Sequence, residues 1–158
     1  MVSSQNLKEF ELFQGLDDSA LAKLVELCHE RSFEDGALCF VQGKKAIELH
    51  LCRSGKVDIM VKIYEPWSAE VTTYTAMAGE AFGWSALIET NVYTASAKCV
   101  GKVEEIYITR RDLIKLFTQN HYIGYVVMRN LIKVMNSRLI GTREKFTKLV
   151  AAASHQEW

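Results

Sequence analysis

The chain has 158 residues, of which 49% are hydrophobic and 24% charged, and its 19 basic side chains balance 19 acidic ones. This size and composition fit one soluble globular domain over residues 1–158. A net charge of zero gives no overall field that favours nucleic acid or an anionic membrane. No apolar run approaches the roughly 20 residues that span a bilayer, and the N-terminus lacks a signal-peptide pattern. We therefore expect a cytoplasmic protein.

The first segment, about residues 1–30, is predicted to be helical. One of Asp17, Asp18 and Ser19 can cap a helix, because a short oxygen-bearing side chain accepts hydrogen bonds from the free amides at a helix start. The apolar residues that follow at helical spacing are Leu21, Leu24, Val25, Leu27 and Cys28. A small apolar group precedes them, made of Phe10, Leu12 and Phe13.

The second segment, about residues 31–108, is predicted to be a series of short strands. Turn signals stand at 34–36, 42–44 and 54–55, each containing a glycine. Near them, apolar residues at alternate positions indicate strands with one buried face, as where Leu49 and Leu51 flank His50. Many short strands separated by turns predict an antiparallel sandwich or roll. The turn at Pro66-Trp67 offers an indole as a partner contact, with partial burial as the alternative.

The third segment, residues 109–154, is predicted to be helical, with Thr109 as the cap of a first helix. Apolar residues then recur at alternating steps of three and four, interrupted only by Thr142. We call this stripe the heptad seam; its residues are Tyr125, Met128, Ile132, Met135, Leu139, Phe146 and Leu149. Sustained spacing of this kind is typical of a coiled coil and predicts a homodimer. The alternative is a helix that buries the same stripe against its own domain.

Residues 79–97, which we call the cassette, read GEAFGWSALIETNVYTASA. The informative pieces are Gly79-Glu80, Phe82-Gly83, the small run Ser85-Ala86-Leu87-Ile88, and Thr94-Ala95-Ser96. Their order resembles the phosphate-binding signature of the cyclic nucleotide-binding domain family. The resemblance covers nearly the whole chain and is greatest to the sensor half of regulators of the catabolite activator and FNR type. Its implied fold is mainly β: an antiparallel jelly roll, or double-stranded β-helix, with an N-terminal helix and a long C-terminal helix.

The resemblance also implies a ligand site between the sheet and the C-terminal helix. In the family a short helix after the Phe-Gly pair directs its free amides at the phosphate, where its partial positive charge favours an anion. The implied pocket residues here are Gly79, Glu80, Phe82, Gly83, Trp84, Ser85, Ala86, Tyr93 and Thr94. Ser85 and Thr94 can add hydroxyl groups to the backbone amides.

The two ligand-binding side chains of the family pattern, a Glu and an Arg, are both replaced in the cassette. Trp84 stands where the family has a ribose-binding Glu, and an indole can only donate a hydrogen bond. Val92-Tyr93 stand where it has Pro-Arg, so the charged, forked contact to the phosphate is lost. At about 1.5–3 kcal/mol for each charged hydrogen bond, the two losses predict roughly a hundredfold weaker cyclic nucleotide binding. Lys98 and Lys102 follow the cassette but offer no obvious replacement.

Three interpretations of Trp84 and Tyr93 remain open. The two rings can fill a disused pocket as core aromatics. They can line a pocket for another, apolar or aromatic effector, with stacking in place of ion pairing. The backbone amides with Ser85 or Thr94 can also still hold a nucleotide. We expect no cofactor and no tight binding of cyclic AMP.

These features favour a non-catalytic regulatory module that senses an unidentified small molecule and signals through a dimeric helix. The first alternative is a structural dimerisation or adaptor protein with a vestigial pocket. The second is the sensor fragment of a transcription regulator. The residues after 150 are too few for a helix-turn-helix, so we expect no sequence-specific DNA binding by this chain. No catalytic motif is present, and we expect no enzyme.

The four cysteines and four histidines give no metal-binding spacing. Apolar neighbours surround Cys28, Cys39, Cys52 and Cys99, which predicts small buried side chains in a reducing compartment. His50, two residues before Cys52, keeps a haem or iron–sulfur ligand pair as a minor alternative. The histidines at 29, 50, 121 and 155 are predicted to lie at the surface or to be satisfied by ordinary hydrogen bonds.

Overall fold

A computed structural model describes residues 1–66 and 68–154. The predicted indole contact at Trp67 and the histidine at 155 lie outside the described residues. Within the described ranges, no helix is both long enough and apolar enough to cross a membrane.

The N-terminal segment is helical as far as Val25; the predicted helical segment is too long, because Leu27 and Cys28 lie beyond the helix and the first strand begins at His29. The segment contains α1 (Ser4–Lys8), a 3-10 turn (Glu11–Phe13) and α2 (Asp18–Val25). Asp17 is the cap of α2: its Oδ1 accepts a hydrogen bond of 2.8 Å from the amide of Ala20. The apolar group that precedes α2 is fully inside the core, with Phe10, Leu12 and Phe13 each at most 2% exposed.

The centre of the chain is one antiparallel sheet rolled on itself. Its strands are β1 (His29–Phe33), β2 (Leu38–Phe40), β3 (Glu48–Ile63), β4 (Ala69–Met77), β5 (Ala81–Phe82) and β6 (Ser96–Thr109). The order is β1-β6-β3-β4, with β2 paired to β6 and β5 paired to β3. The mainly β class with flanking helices is confirmed.

The two central strands are longer than predicted. β3 has 16 residues and β6 has 14, and the predicted turn at Ser54-Gly55 is wrong. Those residues form an irregularity inside β3, where the register against β6 shifts on both sides of Ser54. Gly55 has a φ of +90°, and a Cβ there would lie 2.5 Å from the carbonyl oxygen of Lys102. The glycine therefore bends a continuous strand instead of ending it, because β6 pairs with β3 on both sides of the bulge.

The core has two main parts. One lies between the helices, the first half of β3 and the second half of β6, and it includes Leu49, Leu51 and Ile106. The other fills the inside of the roll, with Val57 and Phe82 among its members. The start of β3 lies between them and is covered on both faces, so the prediction of a single buried face is wrong here. His50 is completely buried and satisfied by hydrogen bonds.

The chain ends in α3 (Arg110–Gln119) and α4 (His121–Ser154). Thr109 caps α3 as predicted, since its Oγ1 accepts from the amide of Asp112 at 3.1 Å. α4 buries Ile123, Val126, Val127, Asn130, Leu131 and Val134 against the domain. The residues of the heptad seam are all exposed, from 37% at Met128 to 71% at Leu149. The alternative that α4 buries the seam within its own domain is therefore wrong.

We expect Gly55→Ala to lower the free energy of unfolding by about 3 kcal/mol, because it adds a steric clash of about 1–3 kcal/mol to a positive-φ cost of about 1–2 kcal/mol. Gly101→Ala is the matched control, since Gly101 has a φ of +71° but no atom within 4 Å of the added Cβ. Urea unfolding monitored by circular dichroism measures both. Equal losses for the two variants would contradict the bulge geometry.

Candidate functional site

The cassette crosses the inside of the roll through β5, Gly83 and a 3-10 turn at Trp84–Leu87. Gly83 has a φ of +68°, and a Cβ there would lie 2.6 Å from Cδ2 of His50 and 2.9 Å from Cε1 of Phe40. The backbone therefore packs directly on two buried rings. In the short turn the amide of Ala86 already donates to the carbonyl of Gly83, at 3.3 Å.

Tyr93, the residue at the family's arginine position, is a core side chain. It is 4% exposed, and its ring stacks on Phe40 with centroids 3.9 Å apart and planes 8° from parallel. Its hydroxyl oxygen lies 2.9 Å from the carbonyl oxygen of Glu48 and 3.0 Å from Nε2 of His50, within hydrogen-bond distance of both. Burial raises the pKa of Tyr93 to about 12, so the phenol stays neutral.

Tyr93 forms one end of a buried polar network. His50 Nδ1 donates to Glu105 Oε2 at 3.1 Å, and both side chains are completely buried. Arg31 donates through Nε to Glu105 at 2.8 Å and through Nη2 to Glu48 at 2.8 Å. The Arg31 guanidinium compensates the buried carboxylate of Glu105, as a charge removed from water requires.

Trp84, at the family's glutamate position, contacts an arginine of α4. The guanidinium carbon of Arg138 lies 4.3 Å from the centre of the Trp84 ring and 4.0 Å from that of Tyr74. Its Nη2 donates to the carbonyl of Ala81 in β5 at 2.8 Å. Burial lowers the pKa of Arg138 from its ordinary value, but a guanidinium remains charged at neutral pH. One cation–π contact and one hydrogen bond thus hold α4 on the cassette, and a second cation–π contact holds it on β4.

Sequence reasoning missed Arg138 because it considered only the cations close to the cassette in sequence. Those two, Lys98 and Lys102, are both exposed on β6. The available signal was the helical period: Arg138 follows Asn130 and Val134 at steps of four and so continues the buried face of α4.

A small cavity of about 80 Å³ remains in the cassette. It is lined by six of the predicted pocket residues, Phe82, Gly83, Trp84, Ser85, Tyr93 and Thr94, and by Arg138 among others. Ala86 instead packs with Ala46 and Tyr93. The volume is well below the roughly 300–1,000 Å³ of small-molecule pockets.

Gly79 and Glu80, also predicted for the pocket, do not line this cavity. The carboxylate of Glu80 accepts a hydrogen bond of 2.5 Å from the Tyr74 hydroxyl and one of 2.7 Å from the amide of Met77. Gly79 donates its amide to the carbonyl of Cys52 at 2.9 Å. Both residues therefore hold the connection between β4 and β5 in place.

The cysteines behave as packing residues. Cys52 and Cys99 are buried, whereas Cys28 and Cys39 are only partly so. Burial raises the pKa of Cys28 and of Cys52 to about 12, which leaves little reactive thiolate. Cys52 directs its sulfur to the carbonyls of Ser54 and Gly55. Within residues 1–66 and 68–154, no cluster of three or more His, Cys, Asp or Glu side chains can hold a metal ion.

Tyr93→Phe should lower the free energy of unfolding by about 1–3 kcal/mol, because it leaves a buried imidazole nitrogen and a carbonyl without their partner. The control is Tyr64→Phe, since Tyr64 is 65% exposed. Thermal and urea unfolding of the two variants provide the comparison. A Tyr93 variant as stable as the control would show that its hydroxyl is not part of the network.

Comparison with known proteins places this geometry in a family. The family model described as "Cyclic nucleotide-binding domain" matches residues 30–120. A curated relative, Glutaminase 1 of Bradyrhizobium diazoefficiens, is 31% identical over 141 residues. That alignment covers 88% of this chain but only 22% of the relative, so the chain spans a small part of that protein's length.

Solved structures share the fold. A candidate cyclic nucleotide-binding protein from Geobacter metallireducens GS-15 has a TM-score of 0.77 and 29% identity, covering 88% of this chain and 99% of that one. The catabolite activator protein of Thermus thermophilus has a TM-score of 0.72 and 26% identity, covering 89% and 63% respectively. With the roll, the cassette and the long C-terminal helix in the same order, the chain belongs to the cyclic nucleotide-binding domain family.

Proposed function

We propose that this chain is a non-catalytic regulatory module that senses a small molecule at the cassette and signals through α4 to a second copy of itself. The family match and the regulators among its structural neighbours support a sensor role. The glutaminase named among its relatives is matched over only 22% of its length, so we do not extend that activity to this chain.

The contact of Arg138 with the cassette is the observation that carries the proposal. Its guanidinium covers Trp84 and donates to Ala81, and it lines the cassette cavity. A ligand that enters the cassette must therefore either displace Arg138 or bind to it. In both cases the ligand acts directly on α4, which is the differential contact that a two-state switch requires.

The same geometry supports an effector other than a tightly bound cyclic nucleotide. Tyr93 is neutral and its hydroxyl is engaged with His50 and Glu48. An anion in the cassette would find the Arg138 guanidinium and the Ser85 and Thr94 hydroxyl groups, but no ribose-binding carboxylate at position 84. Cyclic AMP would also have to enlarge a cavity of about 80 Å³.

The exposed heptad seam supports pairing of α4 with a second α4. Ile132, Phe146 and Leu149 are each at least 65% exposed. Beyond Val134, the described residues of α4 are exposed, apart from Arg138 and Gly141, which are half-buried. An apolar stripe at coiled-coil spacing loses its contact with water when two helices pair. In this proposal α4 acts on a protein, and the described residues read no DNA sequence.

A second candidate is an adaptor whose only working part is the paired α4. The small volume of the cassette cavity and the burial of Tyr93 favour it. The two candidates differ in whether a change at the cassette alters α4.

Arg138→Gln should increase hydrogen–deuterium exchange both at residues 81–87 and at residues 134–142, because the cation that joins the two segments is removed. Arg143→Gln is the control, since Arg143 is exposed on the same helix. Mass spectrometry of peptic fragments measures the exchange. An increase confined to α4, or none in either segment, would favour the adaptor.

Ile132→Asp should convert a dimer to a monomer without loss of fold, because it places a charge in the seam at a position that is 65% exposed in the single chain. Asn136→Asp adds the same charge at an exposed position outside the seam. Sedimentation equilibrium and circular dichroism test both variants. A wild-type protein that is monomeric at high concentration would reject the paired-helix part of the proposal.

A further inference from the structure

A second cleft, of about 330 Å³, lies beside α4 and next to Arg138. Its walls are the 11–15 turn, the β4–β5 region and the face of α4 from residue 129 to 138. Arg138 is the one described residue that lines both this cleft and the cassette cavity. The volume is within the usual range for small-molecule sites, about 300–1,000 Å³.

Charged groups of both signs face this cleft without pairing. Arg129 and Lys133 line it from α4, and Glu11 lines it from the 3-10 turn. In the part of the chain that the structure describes, no ion pair within 4.0 Å involves any of these three side chains. The other two charged groups of the lining are engaged: Arg138 with Ala81 and Glu80 with Tyr74.

Asn130 adds a fixed acceptor to the same cleft. It is 5% exposed, and its Nδ2 donates to the carbonyls of Leu12 at 3.0 Å and Gln14 at 2.8 Å. Those two bonds fix the orientation of the side-chain amide. Across residues 1–66 and 68–154, no hydrogen bond to its Oδ1 is found. The amide oxygen is therefore available to a donor from a ligand.

We propose that this cleft binds a small zwitterion that carries one carboxylate and one ammonium group, the chemical class of free α-amino acids. The carboxylate is received by Arg129 and Lys133, which are one helical turn apart on the same face of α4. The ammonium is received by Glu11 and by Oδ1 of Asn130. A ligand with a single charge would leave one of these sets unsatisfied.

Binding here joins the N-terminal segment to α4. Glu11 belongs to the 3-10 turn, and the cations belong to the helix that the proposed function makes the output of the module. The zwitterion therefore stabilises the packing of α4 on the domain without entering the cassette.

The test is nuclear magnetic resonance titration of the ¹⁵N-labelled chain with L-alanine, L-glutamine and L-lysine, with succinate and putrescine as single-sign controls. We expect at least one amino acid to shift the Asn130 side-chain amide and the amides of residues 11–15 in a saturable way below about 10 mM. Lys133→Ala and Glu11→Gln should each weaken that binding by roughly tenfold or more. Lys145→Ala and Glu144→Gln, exposed on α4 away from the cleft, should leave it unchanged.

Absence of saturable shifts with every amino acid would overturn the inference. Equal or tighter binding of succinate or of putrescine would also overturn it, since the cleft would then select a single charge. An affinity for the amino acid that is unchanged in both Lys133→Ala and Glu11→Gln would overturn it as well. These outcomes are independent of the exchange and sedimentation experiments, which test the cassette and the seam and can succeed or fail separately.

Discussion

The hydrogen bond between the Tyr93 hydroxyl and the buried imidazole of His50 constrains the chemistry of the cassette. His50 has no contact with water, so both ring nitrogens need partners, and they find them in Glu105 and Tyr93. Glu105 in turn needs the cation of Arg31. Because the phenol completes this buried chain, Tyr93 cannot turn towards a ligand without leaving His50 unsatisfied. Position 93, where the family usually has the arginine that binds the phosphate, is therefore part of the core in this chain.

Arg138 brings a positive charge back to the cassette from a different part of the chain. The arginine that the family usually has at the position of Tyr93 would belong to the roll. Arg138 belongs instead to α4, where it contacts the rings of Tyr74 and Trp84. In the proposed function, ligand entry and helix movement are thereby coupled through one side chain. This coupling requires no chain of intermediate residues, because the guanidinium that lines the cavity belongs to α4 itself. The replacement of Glu by Trp84 fits this arrangement, because an indole offers a cation a π face.

Local signals in the sequence predicted the order of the elements and most of the helix caps, because caps and glycine turns depend on neighbouring residues. Asp17 and Thr109 are examples. The polar network was not predictable, since Arg31, His50 and Glu105 meet only through the registers of β1 and β3 with β6, where Arg31 is directly opposite Glu105. The bulge at Gly55 was mistaken for a turn for a similar reason: only pairing with β6 keeps β3 continuous.

Calorimetric titration of the full chain with cyclic AMP tests the central claim most directly. The account predicts no saturable heat at micromolar concentrations, because the buried phenol of Tyr93 replaces a charged contact and Trp84 offers no acceptor to the ribose. A dissociation constant in the low micromolar range would contradict it. That result would mean that the cassette opens and holds a phosphate and a ribose despite both replacements.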